Sequence, residues 1–118
     1  AQSDLATIVR LHRPLHEMLA EVYARYGRPL LLSEVGTEGE GRAAWLRYIA
    51  CEARTALRAG IPLTGICLYP VLDYPGWEND RHCPTGLWGY ADAGGERPLY
   101  EPLARELWWQ QRLHARVT

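Results

Sequence analysis

The chain has 118 residues, of which 47% are hydrophobic, and this is enough for one globular domain with a buried core. Its formal net charge is −1 and it contains no basic run, which argues against a nucleic-acid-binding protein. No signal peptide and no apolar stretch of membrane-spanning length is visible, so we expect neither nucleic acid nor a membrane as a partner.

The cysteine and aromatic residues give two further indications. Cys51, Cys67 and Cys83 are odd in number and lack metal-binding spacing, so we expect free thiols, a reducing compartment such as the cytoplasm, and neither a metal site nor a cofactor. Five Trp and seven Tyr occur with no Phe. Aromatic side chains that carry a polar group suit partly solvated sites, such as those that stack on sugars, although packing in the core is their ordinary role.

The N-terminal third predicts two helices and then a strand. Apolar spacing, with Ser3 as N-cap, predicts a first helix over 3–11. Pro14 is expected in the first turn of a second helix, which Gly27 ends. The apolar stripe of this second helix is predicted to consist of Leu15, Met18, Leu19, Val22 and Tyr26.

The strand predicted over 29–34 ends in a carboxylate. Its apolar run does not alternate with polar residues, which predicts a parallel strand buried on both faces. Glu34 is its last residue, and Gly36 then breaks the chain. Because the loops that carry chemistry leave the carboxyl ends of parallel strands, Glu34 is a candidate catalytic residue. The alternative is a solvated glutamate at a strand end.

The residues after this first strand are predicted to form a helix and a second strand, which complete a βαβ unit, and then a long loop and a last helix. A polar, mobile rim loop precedes a helix over 42–59, and a second strand covers 63–69. The loop 70–92 is rich in Pro, Gly, Trp and charge, which in compact domains usually indicates function. The last helix is predicted over 97–117, with core candidates Leu103, Leu107 and Trp108. Two parallel strands cannot close a sheet, so we expect missing strands or a piece of a larger barrel.

Three stretches together resemble glycoside hydrolase family 1, the β-glucosidase family. Residues 29–36, Pro-Leu-Leu-Leu-Ser-Glu-Val-Gly, resemble the family's seventh-strand motif, an apolar run followed by Thr-Glu-Asn-Gly. Residues 69–73 and the pair Trp77-Glu78 resemble the end of the eighth strand, although that pair is reversed and Tyr69 replaces a Trp. Residues 86–92, with Arg97-Pro98, are similar to the family's C-terminal end.

This resemblance implies an α/β fold that is part of a (β/α)8 TIM barrel, with the two parallel strands near 29–34 and 63–69. Residues 1–118 would be a single C-terminal fragment, since a whole barrel needs about 250 residues. The implied activity is retaining hydrolysis of β-glycosidic bonds with Glu34 as nucleophile. The family's proton donor follows the fourth strand, outside this chain, so the isolated chain is expected to be inactive.

The resemblance and the loop chemistry together give the candidate substrate-binding residues. Trp77 and Trp88 offer ring faces to a sugar, and Glu78 and His82 offer hydrogen bonds to its hydroxyls. Arg81 is expected near Glu34, where its charge would lower the pKa of that carboxyl. The alternative for each residue is that it stabilises its own loop. The full set is Tyr69, Trp77, Glu78, Arg81, His82 and Trp88.

Two other functions remain open at this point. In the first alternative, the chain or its parent protein is a degenerate barrel that binds carbohydrate or a protein partner without catalysis. A complete small domain such as a flavodoxin-like regulator is disfavoured, because that fold has about five strands. As partners we expect a carbohydrate substrate and the remaining barrel segments, or self-association through exposed strand edges.

Overall fold

The computed structural model describes residues 11–117, so most of the first predicted helix lies outside the described residues. Within this range no helix combines the length and hydropathy needed to cross a bilayer. The elements in chain order are helix α1 (Leu15–Tyr26), strand β1 (Leu30–Val35), a 3₁₀ turn (Gly39–Gly41), helix α2 (Arg42–Arg58), strands β2 (Leu63–Leu68), β3 (Tyr74–Pro75) and β4 (His82–Cys83), and helix α3 (Glu101–His114).

The β1–α2–β2 segment is the parallel βαβ unit that the sequence predicts. β1 and β2 pair in parallel, with Leu30 opposite Leu63 and Val35 opposite Leu68. Within the described residues these two strands form a two-stranded sheet, so the outer edge of each is open. The predicted fold class, an α/β fragment with two parallel strands and flanking helices, is confirmed.

The core lies on one side of this sheet only. Leu30 and Leu32 pack against a buried cluster that includes Leu19, Ala56 and Ile61. Leu31 points away from this cluster and is 54% exposed. The prediction that β1 is buried on both faces is therefore wrong for this chain, because a two-stranded sheet leaves one face with nothing to cover it. Exposed apolar side chains of this kind are what an incomplete barrel predicts.

Helix α1 ends as predicted, with Gly27 donating its N–H to the Tyr23 carbonyl over 2.8 Å. Only one row of its apolar residues is packed against the core. Leu15, Leu19 and Tyr23, each four residues apart, pack on the core. The second row of the predicted stripe is exposed, because no described element packs against that side of the helix; it consists of Met18, Val22 and Tyr26.

Helix α3 packs against α2 largely through polar groups. Arg47 forms a two-pronged ion pair with the buried Glu106, and the buried Arg54 donates to Gln110. Trp108, predicted to lie in the core, is 55% exposed. That prediction is wrong because α2 presents arginines to α3, so the facing positions of α3 are polar and Trp108 lies away from the interface.

The last helix starts four residues later than predicted, and the long loop before it contains several backbone pairings. The segment before α3 is extended: the Tyr100 N–H donates to the Leu87 carbonyl, and Leu99 forms a bridge with Trp88. Within 70–92, β3 and β4 pair as a small antiparallel hairpin. These pairings give the segment between β2 and α3 a backbone framework of its own.

Candidate active site

A cleft of about 250 Å³ opens where β1 and β2 end. It is bounded by the end of β1 and the loop that follows, by the residues after β2, and by both ends of the β3–β4 hairpin. The structure thus brings Glu34 and Tyr69 together, as expected for residues at the carboxyl ends of adjacent parallel strands. The lining residues are Glu34, Gly36, Thr37, Glu38, Tyr69, Pro70, Tyr74 and Thr85.

A larger groove of about 330 Å³ lies between α2, β2 and α3. Its walls are mostly aliphatic, from residues such as Leu46, Leu63 and Ile66, and they contain no carboxylate. Because the glycoside hydrolysis expected from the sequence is carried out by carboxyl groups, we assign the candidate active site to the smaller cleft at the strand ends.

An irregularity in β1 directs Glu34 into the cleft. With strict alternation, Glu34 would share the core-facing side of Leu30 and Leu32. The pairing register shifts between Leu32 and Val35, so that Val35 takes the buried position and Glu34 is exposed. Such shifts re-aim side chains next to active sites. The charged group therefore reaches the cleft without entering the apolar core.

Gly36 allows the ends of the two strands to touch. A Cβ at this position would lie 1.9 Å from the Tyr69 carbonyl oxygen, which is far inside van der Waals contact. On the other side of the same junction, the Tyr69 N–H donates to the Val35 carbonyl over 3.0 Å. Close backbone approach thus fixes Tyr69 beside the end of β1, and only glycine fits there.

Glu38 is a second carboxylate in the cleft, and it is paired with Arg81. The guanidinium of Arg81 binds both carboxylate oxygens, with 3.1 Å between Nη2 and Oε2. This hydrogen bonding holds the pKa of Glu38 below its usual range. Arg81 was expected near Glu34; its ion pair is formed with Glu38 instead, which ties the hairpin to the loop after β1.

Asp73 is buried and organises the loop after β2. It accepts hydrogen bonds from the Gly86 N–H over 2.7 Å and from His82 Nε2 over 2.8 Å. Burial raises the pKa of Asp73, but these bonds and the charges of His82 and Arg42 outweigh it, so that the pKa lies below its ordinary value. His82 also stacks on Tyr90 at 4.2 Å between ring centroids. His82 therefore stabilises its own loop.

The three other candidates lie in two environments. Trp88 is part of the loop framework, since it forms bridges with both Leu72 and Leu99. Trp77 and Glu78 lie at the exposed tip of the hairpin, which is closed by the Gly76 N–H donating to the Arg81 carbonyl. Trp77 is 88% exposed. So exposed a ring is not held by packing on its own loop, and its faces are open to solvent.

Replacing Trp77 with Ala is expected to leave stability nearly unchanged, within about 0.5 kcal/mol, because so exposed a ring contributes little to the folded state. Trp88→Ala is the matched comparison and is expected to cost about 1 kcal/mol or more, because Trp88 is 37% exposed and so buries much more of its ring than Trp77 does. Urea denaturation followed by circular dichroism measures both. Equal destabilisation by the two variants would show that Trp77 is a packing residue.

Six cleft residues were not among the sequence candidates: Gly36 and Pro70, and four with polar side chains, namely Thr37, Glu38, Tyr74 and Thr85. Thr37 and Glu38 follow Gly36 directly, so their position just after the strand end could have identified them from the sequence. Tyr74 and Thr85 reach the cleft only because the β3–β4 hairpin folds back across it. The rim loop was predicted to be mobile, yet its Gly39 N–H donates to the Pro84 carbonyl over 2.9 Å.

Comparison with solved structures identifies the fold. The β-glycosidase of the hyperthermophile Thermosphaera aggregans matches with a TM-score of 0.70 and 25% sequence identity, over 82% of this chain and 21% of that one. The chain has the fold of part of a family 1 β-glycosidase. The family 1 β-glucosidase from Thermotoga maritima, solved with isofagomine lactam, matches with a TM-score of 0.67 and 18% identity over 81% of this chain and 24% of that one.

The match to family 1 β-glycosidases confirms the resemblance seen in the sequence and the prediction of a partial TIM barrel. This chain spans only about a fifth to a quarter of these enzymes. A further β-glycosidase, BGL167, gives a TM-score of 0.71 at 21% identity, over 84% of this chain and 24% of its own. No protein-family model and no curated protein matches the sequence.

Proposed function

We propose that this chain is the C-terminal fragment of a retaining glycoside hydrolase and that Glu34 is its nucleophile. One observation carries the proposal: in a β-glycosidase-like fold, Glu34 is exposed at the carboxyl end of a parallel strand, in one cleft with Tyr69. The carboxylate would attack the anomeric carbon of a β-glycoside and expel the leaving oxygen. Water would then hydrolyse the glycosyl–enzyme ester, restoring the original anomer.

The reaction needs a second carboxyl group, about 5–5.5 Å from the nucleophile, which protonates the leaving oxygen. Glu38 is the other carboxylate that lines the cleft. Its lowered pKa, caused by the hydrogen bond from Arg81, keeps it ionised and makes it a poor proton donor. The acid/base residue of the proposed enzyme therefore belongs to a part of the barrel outside this chain.

The sugar would be held by the cleft and by the hairpin tip. Tyr69 offers a ring face, and the hydroxyl groups of Thr37 and Thr85 can bond to sugar hydroxyls. Trp77 and Glu78 would contact the sugar from above. Arg81, His82 and Trp88 would act by holding the loop in place. The Thermotoga maritima β-glucosidase has been solved with isofagomine lactam and with noeuromycin, and we propose the same class of sugar-like ligand here.

The 118-residue chain alone is expected to show no turnover of p-nitrophenyl β-glucoside, because its cleft lacks the proton donor. The complete protein is expected to hydrolyse this substrate with retention, observed by NMR as the β-anomer being released first. Hydrolysis by the chain alone, abolished by Glu34→Gln, would contradict the missing-acid argument. Sugar binding without hydrolysis by the complete protein would favour the non-catalytic alternative.

The open edges of the sheet provide the proposed partner surface. β1 and β2 each have one unpaired edge, Leu31 is exposed, and α1 exposes Met18, Val22 and Tyr26. We propose that the remaining barrel segments cover these groups in the complete protein, and that isolated chains associate with one another instead. Light scattering is expected to show oligomers. A monodisperse monomer with a cooperative melt would contradict this expectation.

We also place the protein in a reducing compartment such as the cytoplasm. The proposal rests on the cysteines, since Cys51, Cys67 and Cys83 are all free thiols. Two of them, Cys51 and Cys67, are exposed. Free exposed thiols are stable against oxidation where the thiol pool is kept reduced.

A further inference from the structure

Arg42 connects the two loops that form the walls of the cleft. It is the first residue of α2 and is only 9% exposed. Its Nε donates to the Gly39 carbonyl over 2.7 Å, in the loop after β1. Its Nη1 donates to the Gly86 carbonyl over 2.6 Å, in the loop after the β3–β4 hairpin. A planar guanidinium can hold two such acceptors at one fixed spacing, whereas a lysine ammonium cannot.

Both accepting carbonyls lie next to residues that line the cleft. Gly39 follows Glu38, and Gly86 follows Thr85. The Gly39 N–H also donates to the Pro84 carbonyl, so the two loops are in direct contact at the same level. The position of Arg42 therefore determines how far apart the Glu38 wall and the Thr85 wall stand.

The guanidinium of Arg42 is itself held from two sides. It lies over the ring of Tyr100, 3.5 Å from the ring centroid, and Nη1 is 4.0 Å from Asp73 Oδ1. Asp73 accepts the N–H of Gly86, the residue whose carbonyl Arg42 binds. A Cβ on Gly86 would come within 2.5 Å of backbone atoms, so Gly86 has little room to move. A buried charge bonded in this way adopts one arrangement.

From this geometry we infer that Arg42 is a positioning residue of the active site: it does not touch the sugar, but it sets the width of the cleft around Glu34. The inference rests on the proposed function of the cleft. Arg54 provides a matched control on the same helix, because it is equally buried, at 7% exposure, and bonds to Gln110 of α3 rather than to the cleft loops.

Cys83 reports on the docking of the loops, because it is buried in β4, next to Pro84, while Cys67 is exposed. In the full chain, labelling of Cys83 by iodoacetamide relative to Cys67 is expected to be about tenfold faster in Arg42→Met than in wild type. Arg42→Lys is expected to recover part of the protection. Arg54→Met is expected to change the ratio less than about twofold, although it also removes a buried hydrogen bond of a guanidinium.

The second measurement is the affinity of the complete protein for isofagomine lactam, from NMR titration. It is expected to fall about tenfold in Arg42→Met and less than about twofold in Arg54→Met. Equal effects of the two variants on labelling would overturn the inference, since Arg42 would then be a general stabilising residue. Should Arg42→Met not fold, Arg42→Lys decides: faster Cys83 labelling supports the inference, and unchanged labelling overturns it. If wild type does not bind the inhibitor but Arg42→Met still speeds Cys83 labelling more than Arg54→Met does, the proposed function is contradicted. The positioning of the two loops by Arg42 is then still supported.

Discussion

Glu34→Gln is expected to reduce hydrolysis of an aryl β-glucoside by the complete protein by about 10⁴-fold, because an amide cannot form the glycosyl ester. The change keeps the size and shape of the side chain. Since Glu34 is exposed, the melting temperature is expected to stay nearly constant, with a stability change within about 0.5 kcal/mol. Initial rates and a thermal melt of the same preparation measure the two effects.

Glu40→Gln is the matched control for this loss, because Glu40 is an exposed carboxylate of the rim loop that does not line the cleft. Its rate is expected to stay within about twofold of wild type. A sharper test uses Glu34→Ala with sodium azide. If Glu34 is the nucleophile, azide attacks from the vacated face and gives the α-glycosyl azide. Formation of the β-anomer would show that Glu34 is the acid/base residue instead.

Gly36→Ala is expected to destabilise the chain by about 3 kcal/mol or more, which is a large fraction of the total stability of an ordinary domain. The added Cβ would lie 1.9 Å from the Tyr69 carbonyl oxygen, a backbone atom that no rotamer change can move. Relief requires the ends of β1 and β2 to separate, which breaks the hydrogen bond from the Tyr69 N–H to the Val35 carbonyl. The urea midpoint measures this loss.

Gly41→Ala separates this steric effect from the general effect of adding a methyl group. A Cβ at Gly41 meets nothing nearer than the Thr37 side chain at 4.0 Å, and its φ of −72° suits any residue. The stability is expected to change by less than about 1 kcal/mol, in either direction. Similar urea midpoints for the two variants would mean that β1 and β2 do not approach each other closely at Gly36.

The variants at Glu34 and at Gly36 test two different roles of the same short segment. Glu34 supplies the charge at the end of β1, and Gly36 allows the next strand to end beside it. A variant at Gly36 would also be inactive, but for a different reason, because Tyr69 and Glu34 would no longer share one cleft. Comparing activity with stability in the same preparations distinguishes the chemical loss from the structural one.

The regular elements around the cleft could be predicted from the sequence because their signals are local. The strand predicted over 29–34 is observed as Leu30–Val35, the one over 63–69 as Leu63–Leu68, and the helix over 42–59 as Arg42–Arg58. Apolar runs and glycine breaks lie within each segment, so no knowledge of neighbours is needed.

The contacts between side chains could not be predicted in this way, because each depends on which element happens to face it. Arg81 pairs with Glu38 rather than Glu34, and Trp108 is exposed because α2 presents arginines to α3. The same limit applies to Tyr74 and Thr85, which reach the cleft through the fold of the hairpin.

The sequence by itself determined a parallel βαβ unit with a carboxylate at the end of its first strand, since hydrophobic spacing and glycine positions are properties of the chain alone. Only the tertiary structure decided that Glu34 faces the cleft, because the register shift between Leu32 and Val35 interrupts the regular alternation of side chains along a strand. It also placed Arg42 between two acceptors, the carbonyls of Gly39 and Gly86, which lie 47 residues apart in the sequence. Long-range packing brings such groups together, and no local pattern records it.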